Sequence, residues 1–467
     1  MKDSFYAEYS SKLIEKEQAL KLVREGDRIM CHGGASSFMA LLDENIDNLS
    51  GIELYTMFLL TRPYSFLDNS KCKNIRHFAT FVSPYVREQL RLGNAPEIIL
   101  THYSDTDDFV RYRARPTILF CQVTPMDEEG YFTMGYNSLG HRVAAEMADR
   151  VIVQVNRNLP KIAGECNRLH IGEVTAIYEE DTPVHTSIPQ PHTELDTKAA
   201  GFVAERICDG ATLQIGVGRV PDAIGPLLRD HRNLGVHTEL FSQSLMELMK
   251  AGVINNSKKT LLPGKAVFSF AGGQRATQEI YDFVDRNSDI EMRPISWVND
   301  PRIIAQHDNF VSVNSALAVD LTGQVCSETI GLRTFSGPGG QLDFVRGARW
   351  SKGGKSFIVI NSTTEGKDGN RLSKIDVALP LGSAVTTPRA DVDCIERTEN
   401  AWPRWSGHRS GRGDTVQRLP ERRQVSRGHA FLRCRAPRQR RDGIWPFIRQ
   451  ACQGEEYVLS SRLPRHL

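Results

Sequence analysis

Apolar residues follow two rhythms along this chain. In DRVIVQVN, residues 149–156, they are β-branched and nearly continuous, which predicts a strand buried on both faces. In TELDTKAAGFVAERICDG, residues 193–210, they recur at three and four, which predicts an amphipathic helix with Thr193 as N-cap and Gly210 as its C′ residue. The segment GVHTELFSQSLMELMKAG, residues 235–252, combines both rhythms. It reads as a strand ending near Thr238, then a helix with Leu245, Leu248 and Met249 on one face and Gly252 as its stop. Glu239 falls at the junction. A carboxylate ahead of a helix is commonly a cap or a dipole partner, so the local pattern alone gives it a structural role. His237, a lone histidine, receives the same reading.

The pattern also repeats loosely. REGDRIMCHGGASSFMALL begins at Arg24 and CDGATLQIGVGRVPDAIGPLL at Cys208. Each follows a helix-like apolar stretch (13–23 and 199–207), then shows an acid-Gly turn, a short strand, a Gly-rich loop and a new helix. Further on, CQVTPMDEEGYFTMG from Cys121 and SALAVDLTGQVCSETIG from Ser315 both read strand, Gly turn, strand. A repeat of this length predicts two related open-sheet α/β domains with mainly parallel strands. Between them EEDTPVHTSIPQPHTELD, residues 179–196, has three prolines and no periodicity, and predicts an extended linker. The expected domains are 1–185 and 186–394, with a distinct tail at 395–467.

Composition narrows the function classes. The 467 residues are 40% hydrophobic and 24% charged, ordinary for a globular chain. The polar start MKDSFYAEYSSK has no apolar signal region, and no apolar run reaches the length of a spanning helix. The nine cysteines form no C-x-x-C pair, which fits free thiols in a reducing, cytoplasmic setting and argues against a zinc knuckle or disulfide scaffold. The net charge of +2 conceals an asymmetry: residues 395–467 hold 16 Arg, no Lys and 7 acidic residues, a net +9 against −7 for the rest. The body therefore has no nucleic-acid footprint.

Three loops carry candidate chemistry. LQIGVGRVPDAI, residues 213–224, is strand, Gly-x-Gly, helix, a geometry that lets backbone N–H groups approach an anion. It is not the dinucleotide fingerprint, because Pro221 occupies the third glycine position. SGPGGQLDF, residues 336–344, is a second rigid glycine loop. SKGGKSF, residues 351–357, resembles a phosphate loop but has Arg349 in place of the first glycine, so that reading fails. Cys326 has no evident His partner and reads as a small buried hydrophobe.

Together these pieces resemble the family I CoA-transferases, in the acetyl-CoA hydrolase/transferase branch that includes 4-hydroxybutyrate and butyryl-CoA:acetate CoA-transferases. The blocks that carry the resemblance are DGATLQIGVGRVPDAI, LGVHTELFSQSLMELMKAGVI, LLPGKAVFSFAGG, FVSVNSALAVDLTGQVCSETIG, SGPGGQLDFVRGA, SKGGKSFIVINST and AVTTPRADVD, in order, between about Glu15 and Asp393. The resemblance implies two α/β domains of the CoA-transferase type with the active site between them. It implies Glu239, in the H-T-E block, as the catalytic nucleophile. It places CoA on Gln214, Ile215, Gly216, Val217, Gly218, Asn314, Gly337 and Gly339, with Gly340 in an oxyanion or acyl loop. It implies acyl-CoA and short-chain carboxylate substrates, with coenzyme A as a thioester substrate and no permanently bound cofactor or metal. No nucleic-acid or membrane partner is expected, and a homo-oligomer, dimer or tetramer, is implied.

The resemblance stops after AVTTPRADVD. Relatives continue there with a Y-V-V-T-E-Y-G-V-A-like stretch, whereas this chain reads CIERTENAWPRWSGHRSGRG. Three of the five Trp lie in the last 73 residues, and every basic residue there is Arg. One reading is a basic arm for nucleic acid or membrane. The other, favoured by the composition, is out-of-frame translation of a GC-rich coding sequence. It predicts that residues after about Asp393 lack a packed structure and that Trp402, Trp405 and Trp445 are not buried.

Overall fold

A computed structural model describes residues 2–31, 37–57, 60, 62–187, 191–272, 276–366 and 368–397, and all of them lie in one compact unit. Two seven-stranded sheets organise it. The first contains β1 (Arg28–Cys31), β2 (Ile52–Thr56), β3 (Ile75–Ala79), β4 (Glu97–Ile98), β5 (Ile118–Val123), β6 (Arg150–Val155) and β7 (Ala176–Glu179), in the order 4-3-2-1-5-6-7. The second contains β8 (Thr212–Ile215), β9 (Gly235–Phe241), β10 (Ala266–Ala271), β11 (Ile290–Met292), β12 (Phe310–Ser315), β13 (Lys355–Ile360) and β14 (Cys394–Arg397), in the order 11-10-9-8-12-13-14. Every pairing in both sheets is parallel. The second order is the first one repeated, so the loose repeat in the sequence is a repeat of topology. Continuous burial along β5, β6, β12 and β13 follows from helices covering both faces. The acid-Gly turns match as well: Gly26 and Gly210 both adopt positive φ two residues before β1 and β8.

The local signals worked unevenly. Thr193 caps the helix Glu194–Ala204 in a reciprocal box with Asp196, an arrangement that contributes about 1 kcal/mol. That helix ends at Glu205, so Gly210 is not its C′ residue. Arg206 and Ile207 instead close 3₁₀-type bonds, and Gly210 serves the turn ahead of β8, where its N–H donates to Arg232. Of the expected helix over 13–23 only Lys16–Leu20 is helical, because an earlier helix, Lys2–Lys12, ends where Leu13 and Ile14 bridge Ile177 on β7. In the second half Ala318–Asp320 and Val325–Cys326 form a hairpin around Gly323. In the first half Tyr131–Thr133 pairs instead with Arg168–His170.

The chain departs from expectation at its far end. Residues 394–397, expected to lack structure, form β14 against β13. Cys394 and Ile395 offer apolar cover to an edge that would otherwise be open, and Glu396 pairs with Arg206 at 2.6 Å. Trp402, Trp405, Trp445 and the rest of the tail lie outside the described residues. No described helix is long and apolar enough to cross a membrane.

The two halves are stitched by backbone. Ser138 N–H donates to Ser269, and Ala271 N–H to Tyr136, at the end of β10. Tyr103 N–H donates to Gly339 at 3.2 Å. Between these seams lies the cavity.

Candidate active site

Glu239 does not precede the helix Gln243–Lys250 as a cap would. It lies inside β9, which continues to Phe241, and Ser242 occupies the N-cap position. The alternation H-T-E-L-F keeps the strand extended, and it places Glu239 on the same face as His237. Both side chains reach the helical turn above the strand. His237 Nε2 meets the carbonyl of Val298 at 2.8 Å, and the next residue, Asn299, donates from Nδ2 to Glu239 Oε2 at 3.0 Å. Gly340 donates its N–H to the same carboxylate. His237 is fully buried against His307 and is held down to about 3 by burial, with Lys259 adding to the effect. It is a neutral structural group, as its pattern indicated.

The Glu239 carboxyl lies deep in the molecule but keeps solvent contact through a cavity of about 920 Å³. Burial pushes it from its ordinary 4.5 up to about 7, and the charge of Asp343 adds to the rise. The Asn299 amide and the Gly340 N–H oppose this by stabilising the anion. The outcome is a carboxylate poised near neutrality, as nucleophilic and acid–base groups commonly are.

The cavity collects nearly every position singled out in the sequence. Gln214, Ile215, Gly216 and Val217 line it, with Glu239, Asn314, Gly337, Gly339 and Gly340. Gln214 and Asn314 exchange a reciprocal pair of amide hydrogen bonds, at 3.1 and 3.2 Å, that ties β8 to β12 beneath the loop. At Gly216 an added Cβ would crowd Asn314 Oδ1 and the Val313 carbonyl, so the glycine is required by close approach. Gly218 differs. It does not line the cavity, and a Cβ there would press on Ser315 and Pro221. Gly340 is the tightest point of the site: a Cβ would overlap both Asn299 Nδ2 and Glu239 Oε2.

Sequence reasoning missed the supporting network. Asp343 accepts from Ser104 N–H at 3.1 Å and Ser104 Oγ at 2.8 Å, and also from the Asn299 amide. The Asn299 NH₂ group is therefore shared between two carboxylates, and burial raises Asp343 above the usual carboxylate range as it does Glu239. Ser104 belongs to the first half, and adjacent Tyr103 lines the cavity and holds Gly339. The first half thus supports both the glycine loop and the helix Gln341–Trp350 that follows it. Asp343 stood inside a quoted block without a signal of its own. Asn299 was visible only as the residue before an Asp-Pro helix start. Among the described residues no group of three or more His, Cys, Asp or Glu side chains is placed to hold a metal ion.

Such a site can present a desolvated carboxylate to an electrophilic carbonyl, beside backbone N–H groups fixed by a glycine loop. The chain as a whole is similar to known proteins. The chain matches the acetyl-CoA hydrolase/transferase N-terminal domain over residues 1–189 and the acetyl-CoA hydrolase/transferase C-terminal domain over residues 276–400. It is 38% identical to a 4-hydroxybutyrate coenzyme A transferase of Clostridium kluyveri, over 83% of this chain and 89% of that protein. It is 36% identical to a succinyl-CoA:cyclohexane-1-carboxylate CoA transferase of Geobacter metallireducens, over 84% and 89%. Among solved structures, RipA from Yersinia pestis is 32% identical with a TM-score of 0.76, covering 84% of this chain and 90% of that one. A 4-hydroxybutyrate CoA-transferase from Porphyromonas gingivalis is 30% identical with a TM-score of 0.68 over the same shares.

Proposed function

The chain belongs to the acetyl-CoA hydrolase/transferase family, and from that premise we propose that it is a CoA-transferase exchanging CoA between a short-chain acyl-CoA and a carboxylic acid, with Glu239 as the nucleophile. The observation that carries the reading is the half-buried Glu239 carboxylate, held by Asn299 and Gly340 at the wall of a cavity shared by both glycine loops.

The chemistry needs no net driving force, because one thioester replaces another. Glu239 attacks the acyl carbonyl, the C–S bond breaks, and an acyl-glutamyl anhydride and CoA thiolate result. The thiolate attacks the glutamyl carbonyl, giving an enzyme–CoA thioester and releasing the first acid as its carboxylate. The acceptor carboxylate then repeats both steps in reverse and leaves as the new acyl-CoA. No proton is gained or lost over the cycle. Each tetrahedral state carries an oxyanion, and the N–H groups of the 337–340 loop are the preset donors for it. The loop at 214–217 with Asn314 receives CoA, whose distant binding energy is available at the reacting carbonyl. Gly218, which follows that loop, lets the chain pass close to Ser315.

The relatives act on 4-hydroxybutyryl, succinyl and butyryl groups, so acids of about this size are the candidate substrates. An acetyl-CoA hydrolase of Neurospora crassa, 25% identical, represents the rival reaction, in which water discharges the same intermediate. Supplying butyryl-CoA with and without acetate separates the two. A transferase forms acetyl-CoA in step with butyrate and releases little free thiol. Thiol release that is indifferent to acetate contradicts the proposal. We place the boundary between the two domains near residue 185. A dimer or tetramer would cover Leu332 and Leu381, which are 83% and 90% exposed and adjoin through Gly382. Light scattering in solution tests that assembly.

A further inference from the structure

Tyr103 lines the cavity, and the reaction as written gives its hydroxyl no task. The residue is 8% exposed and sits in an apolar cluster with Met57 and Leu139, which line the same cavity. A phenol buried to this degree usually has a hydrogen-bond partner. Among the described residues the Tyr103 hydroxyl has none, and it is not sealed from solvent as the unpaired Asn299 Oδ1 and His307 Nδ1 are. Its opening is the cavity.

Both halves of the molecule fix where the ring stands. Tyr103 N–H donates to the Gly339 carbonyl at 3.2 Å, and the Cε2 edge of the ring is 3.8 Å from where a Cβ on Gly339 would be. The next residue in the chain, Ser104, donates to Asp343 from both its N–H and its Oγ. Gly340, next to Gly339, donates its own N–H to Glu239. The phenol is thus packed against the loop that holds the Glu239 carboxylate. Burial, with the Glu239 charge adding to it, raises the Tyr103 pKa far above the ordinary phenol value. At neutral pH the group is a hydrogen-bond donor.

The chemistry has a place for such a donor. Once CoA is on Glu239 the glutamyl group is neutral, and the acceptor must enter an apolar-walled cavity as an anion. One of its oxygens attacks the glutamyl carbonyl. The other needs a partner, because an unpaired carboxylate oxygen away from water costs free energy. A neutral hydroxyl supplies one hydrogen bond without the full ion pair that would make the acid a poorer nucleophile. We propose that Tyr103 holds the acceptor acid by the carboxylate oxygen that does not attack, and holds the acid released earlier in the cycle in the same way. The inference rests on the transferase reading above. In the step itself the attacking oxygen bonds to the glutamyl carbon, the C–S bond breaks and CoA leaves as its thiolate. The Tyr103 proton stays on Tyr103.

The test isolates that step. The enzyme–CoA thioester is formed from butyryl-CoA in the wild type and in Tyr103→Phe, freed of small molecules, and discharged by acetate, butyrate or hydroxylamine. Hydroxylamine attacks the same glutamyl carbonyl, giving a hydroxamate and CoA thiol, but brings no carboxylate to be held. Rates are taken on loaded enzyme, so they do not depend on how much of a variant folds. Discharge by both acids is expected to slow about 10- to 100-fold in Tyr103→Phe, by a similar factor for each, because they share only the carboxylate. Discharge by hydroxylamine is expected to stay within about twofold. Unchanged rates with the acids overturn the proposal. Equal slowing with hydroxylamine assigns the hydroxyl to the glutamyl carbonyl or its loop, and a loss confined to butyrate assigns it to the acyl chain; either result overturns the proposal and leaves the transferase reading intact. A wild type that forms no CoA thioester defeats the transferase reading, and this proposal with it.

Discussion

The two halves of this molecule have the same strand order and different chemistry. In the first, β1 pairs with β2 so that Arg28 faces Glu53; in the second, β8 pairs with β9 so that Thr212 faces Gly235. Counting on from those pairs sets Thr56-Met57 against Thr238-Glu239. Met57 also lines the cavity, but as an apolar wall, 2% exposed. The differences around the pair are equally specific. Glu239 has the Asn299 amide and the Gly340 N–H as donors, with Asp343 behind them. The first half has Asp27 in a buried ion pair with Arg150 at 2.6 Å, where the second has Ala211. One copy of the repeat is thus held together by a buried charge pair and supplies walls and supports. The other presents a carboxyl group, Glu239, to the cavity. On the proposed mechanism a duplicated fold needs one nucleophile only, because the reaction occurs once, in the cavity that both copies line.

Changing the proposed nucleophile should have the largest effect. Glu239→Gln keeps the volume and removes the attacking charge, so turnover should fall by about 10⁴-fold or more. Adding Met57→Glu to that variant should restore nothing, because Met57 belongs to the apolar core of the first half. Initial rates of the single and double variants check both statements, and recovery in the double variant would make the halves interchangeable.

The first half should fail in stability instead. Asp27→Asn leaves Arg150 buried without its counter-charge and should cost about 3–5 kcal/mol by urea denaturation. The folded fraction should keep its specific activity, since Asp27 touches neither the cavity nor the loops.

Two glycines ahead of helices sharpen the same contrast. Gly340 has an ordinary φ of −99, so alanine is conformationally allowed, but its methyl would displace Glu239 and Asn299. Gly340→Ala should reduce kcat by about 100-fold with little change in Tm. Gly140 precedes the helix His141–Met147 with a φ of 73, and the nearest atoms to a Cβ there are the methyls of Thr106, Val110 and Met30. Gly140→Ala should lower stability by about 1 kcal/mol and spare kcat.

The smallest expected effect is on pH dependence. With Glu239 raised to about 7, kcat/KM should climb as pH rises through that value and level off above it, as the nucleophile ionises. Asp343→Asn removes a charge that disfavours that ionisation, so the climb should move to lower pH by less than about one unit. Stability has the opposite sign. The folded state holds its proton between 4.5 and about 7 where the unfolded chain has lost it, so this group's contribution falls as pH rises through that window. Glu239→Gln should abolish that part of the slope.

How much of this could be read beforehand depended on distance along the chain. The repeat of strand, glycine loop and helix, the Thr193 cap and both glycine loops rest on local patterns, and they appear where the residues suggested. Glu239 shows the limit: its immediate neighbours pointed to a cap, and only the ordered set of blocks around it pointed to chemistry. Its partners were less visible still. Asn299 lies 60 positions away from Glu239, and Ser104 is separated from Asp343 by 239. No periodicity links residues that meet only when two sheets dock. Misjudged boundaries, such as the break at Leu13 and the strand at 394–397, arose where a tertiary edge overrode local propensity.

The central claim is that a single carboxylate, in the second half alone, carries the covalent intermediate. The most direct measurement is to incubate the enzyme with acyl-CoA and no acceptor, reduce with borohydride, and map the product by peptide mass. The account predicts reduction at Glu239 and nowhere else, with activity lost in proportion to the label. An unmodified Glu239 in enzyme that still transfers CoA, or a label on another carboxylate, would contradict it.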